Sequence, residues 1–192
     1  MSKGARRPSA PGPASQARWR PHPGGAPLSA GTAGMHFRLL SDDAAAILSS
    51  GSWHGRLSRA YEHWRALPRA DGALPRFGSL QPWALAPDLR FLASVQVDFA
   101  DFRFHSVGDG IAEHFGPHLA CACLADLFVG AAQMDLIAAH RACVGEATPV
   151  LCELSPAELD LSMRVPFQCL LLPFANDGRR VDRILWAMAF PG

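Results

Sequence analysis

Hydrophobic and polar residues alternate along two neighbouring stretches in the middle of the chain. In 89–98, every second residue from Leu89 to Val97 is apolar, and polar residues such as Gln96 lie between them. The stretch 101–106 repeats this alternation after a gap of only a few residues. Strict alternation is typical of a strand with one buried face, and so short a connection is typical of a hairpin. We therefore predict an antiparallel strand pair here.

An amphipathic helix is predicted before this hairpin. Apolar side chains recur there every three or four residues, while charged residues such as Glu62 occupy the other faces. Pro68 then ends the helix, because proline cannot continue the helical hydrogen bonding. The apolar stripe of this helix consists of Leu57, Tyr61, Trp64 and Leu67.

The sequence after the hairpin predicts helices first and strands last. The helices are two short ones over 111–115 and 119–128 and a longer one from 131 to 144. The strands that follow lie at 148–154, 163–172 and 181–190. Such segregation of helices and strands favours an α+β fold with an antiparallel sheet over a parallel doubly wound fold.

The last predicted strand is apolar on both of its faces. An antiparallel sheet with one solvated face would show an alternation of apolar and polar residues here. Another element must therefore cover its second face. The two faces carry Ile184, Trp186 and Met188 on one side and Leu185, Ala187 and Ala189 on the other.

Composition divides the chain into an arm, a lead-in and a domain. Residues 1–34 hold six of the 16 prolines among many Gly, Ala and Ser residues, and such a stretch cannot bury enough apolar surface to fold. We predict a disordered basic arm over 1–34, a lead-in segment over 35–56 and a folded domain over 57–190. Within the lead-in, 37–40 and 43–48 form one short element. Whether translation begins at Met1 or Met35 stays open.

Charge and apolar content exclude several classes of function. Residues 1–41 contain six basic residues and no acid, whereas the remaining 12 basic residues of the chain face all 17 acids. A mildly acidic domain argues against non-specific nucleic-acid binding. No apolar run reaches the 18 or so residues of a membrane span. Five cysteines without a framework spacing, and no signal peptide, predict reduced thiols and a cytoplasmic protein.

The order of elements resembles the PAS fold, and three stretches resemble one bacterial, mainly alphaproteobacterial, PAS family in their residues. The resemblance covers about residues 57–190. It departs from the family at 118–123, where a glycine is usual and His-Leu-Ala-Cys-Ala-Cys stands instead. The three stretches are Tyr61-Glu-His-Trp64, then Asp101-Phe-Arg-Phe-His-Ser-Val-Gly108 with Gly110-Ile111 and Phe115-Gly116, and finally Leu170-Leu-Leu-Pro173 with Asn176-Asp-Gly178 and Val181-Asp-Arg-Ile-Leu185.

The resemblance implies both a fold and a function. The fold is a five-stranded antiparallel sheet with short helices and one longer helix on one face, preceded by the amphipathic helix. The function is that of a non-catalytic sensory or signalling protein, which binds a small hydrophobic ligand, a protein partner, or both, and signals in trans. We also expect a homodimer, because the stripe of the amphipathic helix and the second face of the last strand together expose more apolar area than one short helix covers.

His140 is the residue of the longer helix that points to a ligand site. It follows Leu136 by four residues and therefore shares an apolar helix face with it. The resemblance implies that this helix lines the pocket, and in some PAS proteins it supplies an axial histidine to haem. A core histidine with satisfied ring nitrogens is the alternative interpretation, and no cofactor is expected. The ligand-pocket candidates are Phe104, Leu136, His140, Cys169 and Trp186.

Two other motifs suggest chemistry that we weigh as alternatives. His114, His118, Cys121 and Cys123 carry zinc-binding groups within ten residues, so a metal-binding protein or a small enzyme is the competing function. Against it, Gly116-Pro117 interrupts the segment, and two cysteines packed beside a short helix explain the pattern without metal. Gly108-Asp-Gly110 follows a strand as in a dinucleotide loop, but Glu113 stands where the third glycine belongs, which favours a simple turn.

Overall fold

The computed structural model describes residues 35–40, 48, 55–69, 74–98, 101–126, 131–154 and 166–190. The predicted arm over 1–34 and most of the lead-in lie outside these residues. Among these residues, no helix has both the length and the apolar composition that a membrane span requires.

Among the described residues, six strands form one antiparallel sheet, which confirms the predicted α+β class and adds one strand to the five expected. The order across the sheet is β1-β4-β5-β6-β2-β3. The added strand is β1, which pairs with β4 at one edge of the sheet. The strands are β1 (His36–Leu39), β2 (Leu92–Asp98), β3 (Asp101–Val107), β4 (Val150–Leu154), β5 (Phe167–Phe174) and β6 (Arg183–Ala189).

Helices cover the sheet on both faces. The helix α1 (Gly55–Ala66) lies on one face, and α2 (Asp109–Phe115) and α3 (Ala131–Gly145) lie on the other. The α1 stripe packs against Leu185, Ala187 and Ala189, which form the second apolar face of β6, and against β5. This is the face for which the sequence required a covering element. The second face of β6 is therefore covered by a helix of the same chain.

Two predicted elements differ from the structure. The strand predicted over 89–98 begins only at Leu92, because the 3-10 turns of Pro82–Phe91 continue through residues 89–91 and the Leu92 N–H donates to the Leu89 oxygen. The helix predicted over 119–128 is replaced, as far as it is described, by the short 3-10 turns Pro117–Leu119 and Leu124–Asp126. The residues after Asp126 lie outside the described part of the chain.

The glycines that follow β3 allow the chain to pass close to Pro82–Phe91, which is called the 3-10 segment below. A Cβ on Gly108 would lie 2.5 Å from the carbonyl oxygens of Leu89 and Arg90, and a Cβ on Gly110 would lie 2.7 Å from the Phe91 ring. The φ of Gly108 is −72°, so the position needs glycine for its lack of a side chain and not for a left-handed backbone. Close packing between α2 and the 3-10 segment thus explains the Gly-Asp-Gly motif.

Candidate functional site

The five side chains predicted to line a pocket lie in the buried layer between α3 and the sheet. The helix α3 supplies two of them, and β3, β5 and β6 supply one each. Four of them belong to one hydrophobic core, His140 joins that core through its hydrogen bond with Trp186, and none of the five is more than 1% exposed. Their role in binding a ligand stays a prediction. The five are Phe104, Leu136, His140, Cys169 and Trp186.

His140 is hydrogen bonded at both ring nitrogens. The indole Nε1–H of Trp186 donates to Nε2 of His140 at 2.8 Å, and Nδ1 lies 2.7 Å from the backbone oxygen of Leu136. An indole nitrogen can only donate, so Nε2 must accept, and the proton of the neutral imidazole therefore lies on Nδ1. These two bonds fix the tautomer and the ring orientation of His140.

Burial keeps His140 neutral. Removal from water lowers its pKa from the ordinary 6.5 to about 4, although the hydrogen bond to the Leu136 carbonyl acts in the opposite direction. Protonation of Nε2 would also turn it into a second donor facing the Trp186 N–H. The cluster thus presents one neutral polar pair within an apolar layer.

Acidification should therefore destabilise the protein before most carboxylates titrate. In the unfolded chain His140 takes up a proton near pH 6.5, whereas in the folded chain it does so only near pH 4, so the unfolded state binds more protons in between. The free energy of unfolding should fall by about 3 kcal/mol as the pH falls from 6.5 to 4. Urea unfolding at half-unit pH steps measures this slope.

The variant His140→Leu provides the comparison for this slope. It leaves the Trp186 N–H without its acceptor and is less stable at neutral pH, but it has no imidazole to titrate. Its free energy of unfolding should change less than that of the wild type between pH 6.5 and 4. Parallel pH profiles for the two proteins would show that His140 is not the group responsible.

Aromatic rings fill the space around the His140–Trp186 pair. The Phe104 ring meets the Trp186 ring edge-on, with 4.8 Å between centroids, and the Phe102 ring lies 4.9 Å from the imidazole. Pairs at these separations and angles contribute about 0.5–1.5 kcal/mol each beyond their buried area. A ligand that contacts these residues must therefore displace side chains that contact one another in this structure.

The side chains predicted for a dimer interface lie inside the protomer. Trp64 and Tyr61 are 7% and 8% exposed, and Leu57 and Leu67 are also buried against the sheet. The indole N–H of Trp64 donates to the backbone oxygen of Pro173 in β5 at 2.8 Å. In this conformation the stripe is therefore not a free contact surface. The homodimer stays a prediction that sedimentation of the full chain tests.

An ion-pair cluster that the sequence did not reveal fixes α1 to the 3-10 segment. Asp88 is buried, and its two carboxylate oxygens accept hydrogen bonds from Nε and Nη2 of Arg59, both at 2.8 Å. Nε of Arg56 lies 3.3 Å from the same carboxylate, and its Nη1 donates to the backbone oxygen of Met188 in β6. The guanidinium of Arg56 also stacks on the Phe91 ring at 3.6 Å.

The charge state of this cluster follows from its contacts. Burial alone would raise the pKa of Asp88, but the hydrogen bonds and positive charges of Arg59 and Arg56 outweigh it, and the pKa is lowered. The bond to Asp88 raises the pKa of Arg59 in turn. The one sequence signal for this cluster was that Asp88 is the single acid of the apolar run 83–89. The two arginines that pair with it lie about 30 positions earlier in the sequence.

The residues of the alternative metal site do not converge. The His114 ring stacks on the Phe190 ring with 3.7 Å between centroids, and the Cys123 thiol donates to Asp101 Oδ2 at 3.1 Å. His118 and Cys121 are exposed at the surface. Across the described ranges, no group of three or more His, Cys, Asp or Glu side chains is arranged to hold a metal ion. The zinc-site interpretation therefore receives no geometric support.

The glycine motif leads to an ion pair and not to an anion site. Both carboxylate oxygens of Glu113 lie 2.7 Å from Nη2 of Arg90, across from Gly108 and Gly110. A shallow open cleft of about 380 Å³ lies nearby and contains none of the predicted pocket residues. Its lining consists of Ala86, Pro87, Leu89, Arg90, Gly108 and Asp109.

Comparison with known proteins gives one finding. A family model described as a PAS domain matches residues 53–189, which is more than two thirds of the chain. No curated protein gives a significant match, and no solved structure does so either.

Proposed function

Because the chain belongs to the PAS domain family, we propose that it is a non-catalytic sensor of a small apolar ligand, which it binds between α3 and the sheet. Membership of this family implies a sensory or signalling role. The contact residues of the proposed site are Phe104, Leu136, His140, Cys169 and Trp186.

The observation that carries this proposal is the convergence of these five residues. They come from four separate elements, yet they share one buried layer that contains a single neutral polar pair, His140 and Trp186. Ligand sites are mostly apolar and have a few polar groups that fix orientation. This layer has that composition in a closed state, and ligand binding would favour an open state that the free protein populates less.

The chemistry of the pair restricts the ligand. The imidazole stays neutral near pH 7, and the one charged side chain that is buried among the described residues, Asp88, is paired with α1 and does not belong to this layer. A charged ligand would lose its hydration without a countercharge, which costs several kcal/mol or more. A ligand that enters between His140 and Trp186 must instead satisfy one acceptor and one donor. A neutral apolar compound with a single hydroxyl or amide group meets both demands.

Signal output in this proposal passes to a protein partner in trans within the cytoplasm. What supports this part is membership of the family. Ligand binding would alter the packing of α3 against β5 and β6. The rearrangement would reach α1 through those strands, because α1 packs on their opposite face.

Native mass spectrometry tests the ligand directly. Protein isolated under gentle conditions should carry the added mass of one small organic compound, and protein unfolded, washed and refolded should lack it. Leu136→Trp fills the proposed site and should abolish the added mass. Met134→Trp is the matched control, because Met134 lies two residues earlier on α3 and is 64% exposed.

Either of two outcomes would contradict the proposal. One is an added mass that Leu136→Trp retains while circular dichroism shows that this variant is folded. The other is an equal mass for isolated and refolded wild type, together with a failure to take up neutral apolar compounds after refolding.

A further inference from the structure

The turn that contains Cys121 and Cys123 precedes α3. It is hydrogen bonded to the edge strand β3 through both the N–H and the carbonyl group of Phe104. The backbone N–H of Cys121 donates to the Phe104 oxygen, and the N–H of Phe104 donates to the Ala122 oxygen, each at 3.0 Å. Nη1 of Arg103 reaches the Cys121 oxygen at 3.2 Å, and Arg103 forms a β-bridge with Cys123. The two cysteines of this turn are therefore held beside β3, next to the backbone of Phe104, whose side chain belongs to the proposed ligand site.

These two cysteines differ from the other three in exposure. Cys121 is exposed and Cys123 is half-buried, whereas Cys143, Cys152 and Cys169 are fully buried. Burial raises the pKa of those three thiols far above the ordinary value, which makes them poor nucleophiles. Oxidants in solution thus meet Cys121 first.

The backbone and the neighbours of the pair suit two distinct roles. Cys121 has a φ of 70°, a left-handed conformation that costs energy for a residue with a side chain. The Cys123 thiol donates a hydrogen bond to Asp101 Oδ2 at 3.1 Å. Burial together with this bond raises the pKa of the thiol. One thiol is thus exposed for attack, and the other is kept protonated beside a carboxylate that can accept its proton.

We propose that Cys121 and Cys123 form a reversible intramolecular disulfide when the protein meets a hydroperoxide. Two residues along a chain span at most about 7 Å between Cα atoms, and a disulfide joins Cα atoms about 4.4–6.8 Å apart. Any backbone adjustment for ring closure falls within this three-residue stretch, where Cys121 already has a left-handed φ of 70°. The structure assigns attack to Cys121 and resolution to Cys123.

The chemistry balances in two steps. The thiolate of Cys121 attacks one peroxide oxygen, the O–O bond breaks, and the products are Cys121 sulfenic acid and an alcohol or water after protonation. The sulfur of Cys123 then attacks the sulfenic sulfur while its proton passes to Asp101. The S–O bond breaks, the departing hydroxide takes that proton and leaves as water, and the S–S bond forms. A dithiol reductant restores both thiols.

The structural effect of the ring falls on β3. The disulfide constrains Ala122, whose carbonyl oxygen accepts the hydrogen bond from Phe104, and the Phe104 ring contacts Trp186. Oxidation therefore acts through the backbone of Phe104, whose side chain belongs to the proposed ligand site. The disulfide does not depend on the proposed ligand, so its test is separate from that of the sensory function.

Mass spectrometry of the folded, reduced full chain treated with hydrogen peroxide tests this inference. We expect the loss of two hydrogen atoms, one peptide that contains both cysteines in disulfide form, and recovery with dithiothreitol. Iodoacetamide should alkylate Cys121 and Cys123 before oxidation and neither afterwards. The three buried cysteines serve as internal controls and should react only after unfolding.

Two variants separate the roles of the cysteines. Cys121→Ser should form no disulfide, and Cys123→Ser should accumulate a sulfenic acid at Cys121 that dimedone traps. Serine at either position keeps a group of similar size, and at 123 it can still donate to Asp101. A sulfenic or sulfinic acid that persists at Cys121 in the wild type, a disulfide between two chains, or an unchanged mass would overturn the inference.

Discussion

Replacing Trp64 by alanine should lower the free energy of unfolding by about 3–5 kcal/mol. The indole is 7% exposed and lies between α1 and the sheet, where its removal leaves a cavity and takes the hydrogen-bond donor from the Pro173 oxygen. The Tyr61 ring, whose centroid lies 6.1 Å away, also loses its stacking partner. A loss of this size is a large share of the 5–15 kcal/mol or so that stabilise most domains.

Arg65→Ala is the control for Trp64→Ala. Arg65 is the next residue of α1 and is exposed, so its truncation should change the free energy of unfolding by less than about 0.5 kcal/mol. Urea unfolding followed by circular dichroism gives both values. A loss below about 1 kcal/mol for Trp64→Ala would show that α1 is not held on the sheet as the structure has it.

Replacing Asp88 by alanine should cost about 3 kcal/mol, because it leaves a mostly buried guanidinium without its countercharge. The side chain of Arg56 is 13% exposed and cannot move into water without leaving the Phe91 ring and the Met188 oxygen. The side chain of Arg59 is 53% exposed and can regain water, so the cost stays at the lower end of the range for buried pairs.

The pair of Arg90 and Glu113 provides a matched control for Asp88→Ala. It is also an arginine–carboxylate contact, at 2.7 Å, but its side chains are 52% and 60% exposed. Solvent screens such pairs, so Glu113→Ala should cost less than about 1 kcal/mol. Equal effects of Asp88→Ala and Glu113→Ala on the free energy of unfolding would contradict the claim that burial makes the loss of Asp88 more costly.

The sequence identifies those strands in which apolar and polar residues alternate over several positions. The hairpin of β2 and β3 follows from period-two alternation, and the two apolar faces of 183–189 correctly require a second layer over the sheet. The strand β1 is only four residues long, and its exposure shows no alternation. Its place is decided by pairing with β4, more than 100 residues away, which no local pattern can indicate.

The site shows the same limit. Sequence periodicity identified His140 and Trp186 as inward-facing residues, but the hydrogen bond between them spans 46 positions and depends on how α3 crosses β6. The ion pairs of Asp88 with Arg56 and Arg59 also join segments far apart in sequence. A charged residue in an apolar run indicates that a partner exists, whereas the identity of the partner follows only from the fold.

The most direct test of the proposed sensor is the indole N–H signal of Trp186 in a nitrogen-15 NMR spectrum of the full chain. Trp186→Phe assigns the signal, and Trp83, which is 72% exposed, supplies a surface reference. We expect a neutral apolar compound with one hydroxyl or amide group to shift the Trp186 signal saturably and to leave that of Trp83 unchanged. If no compound from a panel of such molecules or from cell extract moves the Trp186 signal, the proposed ligand site is contradicted.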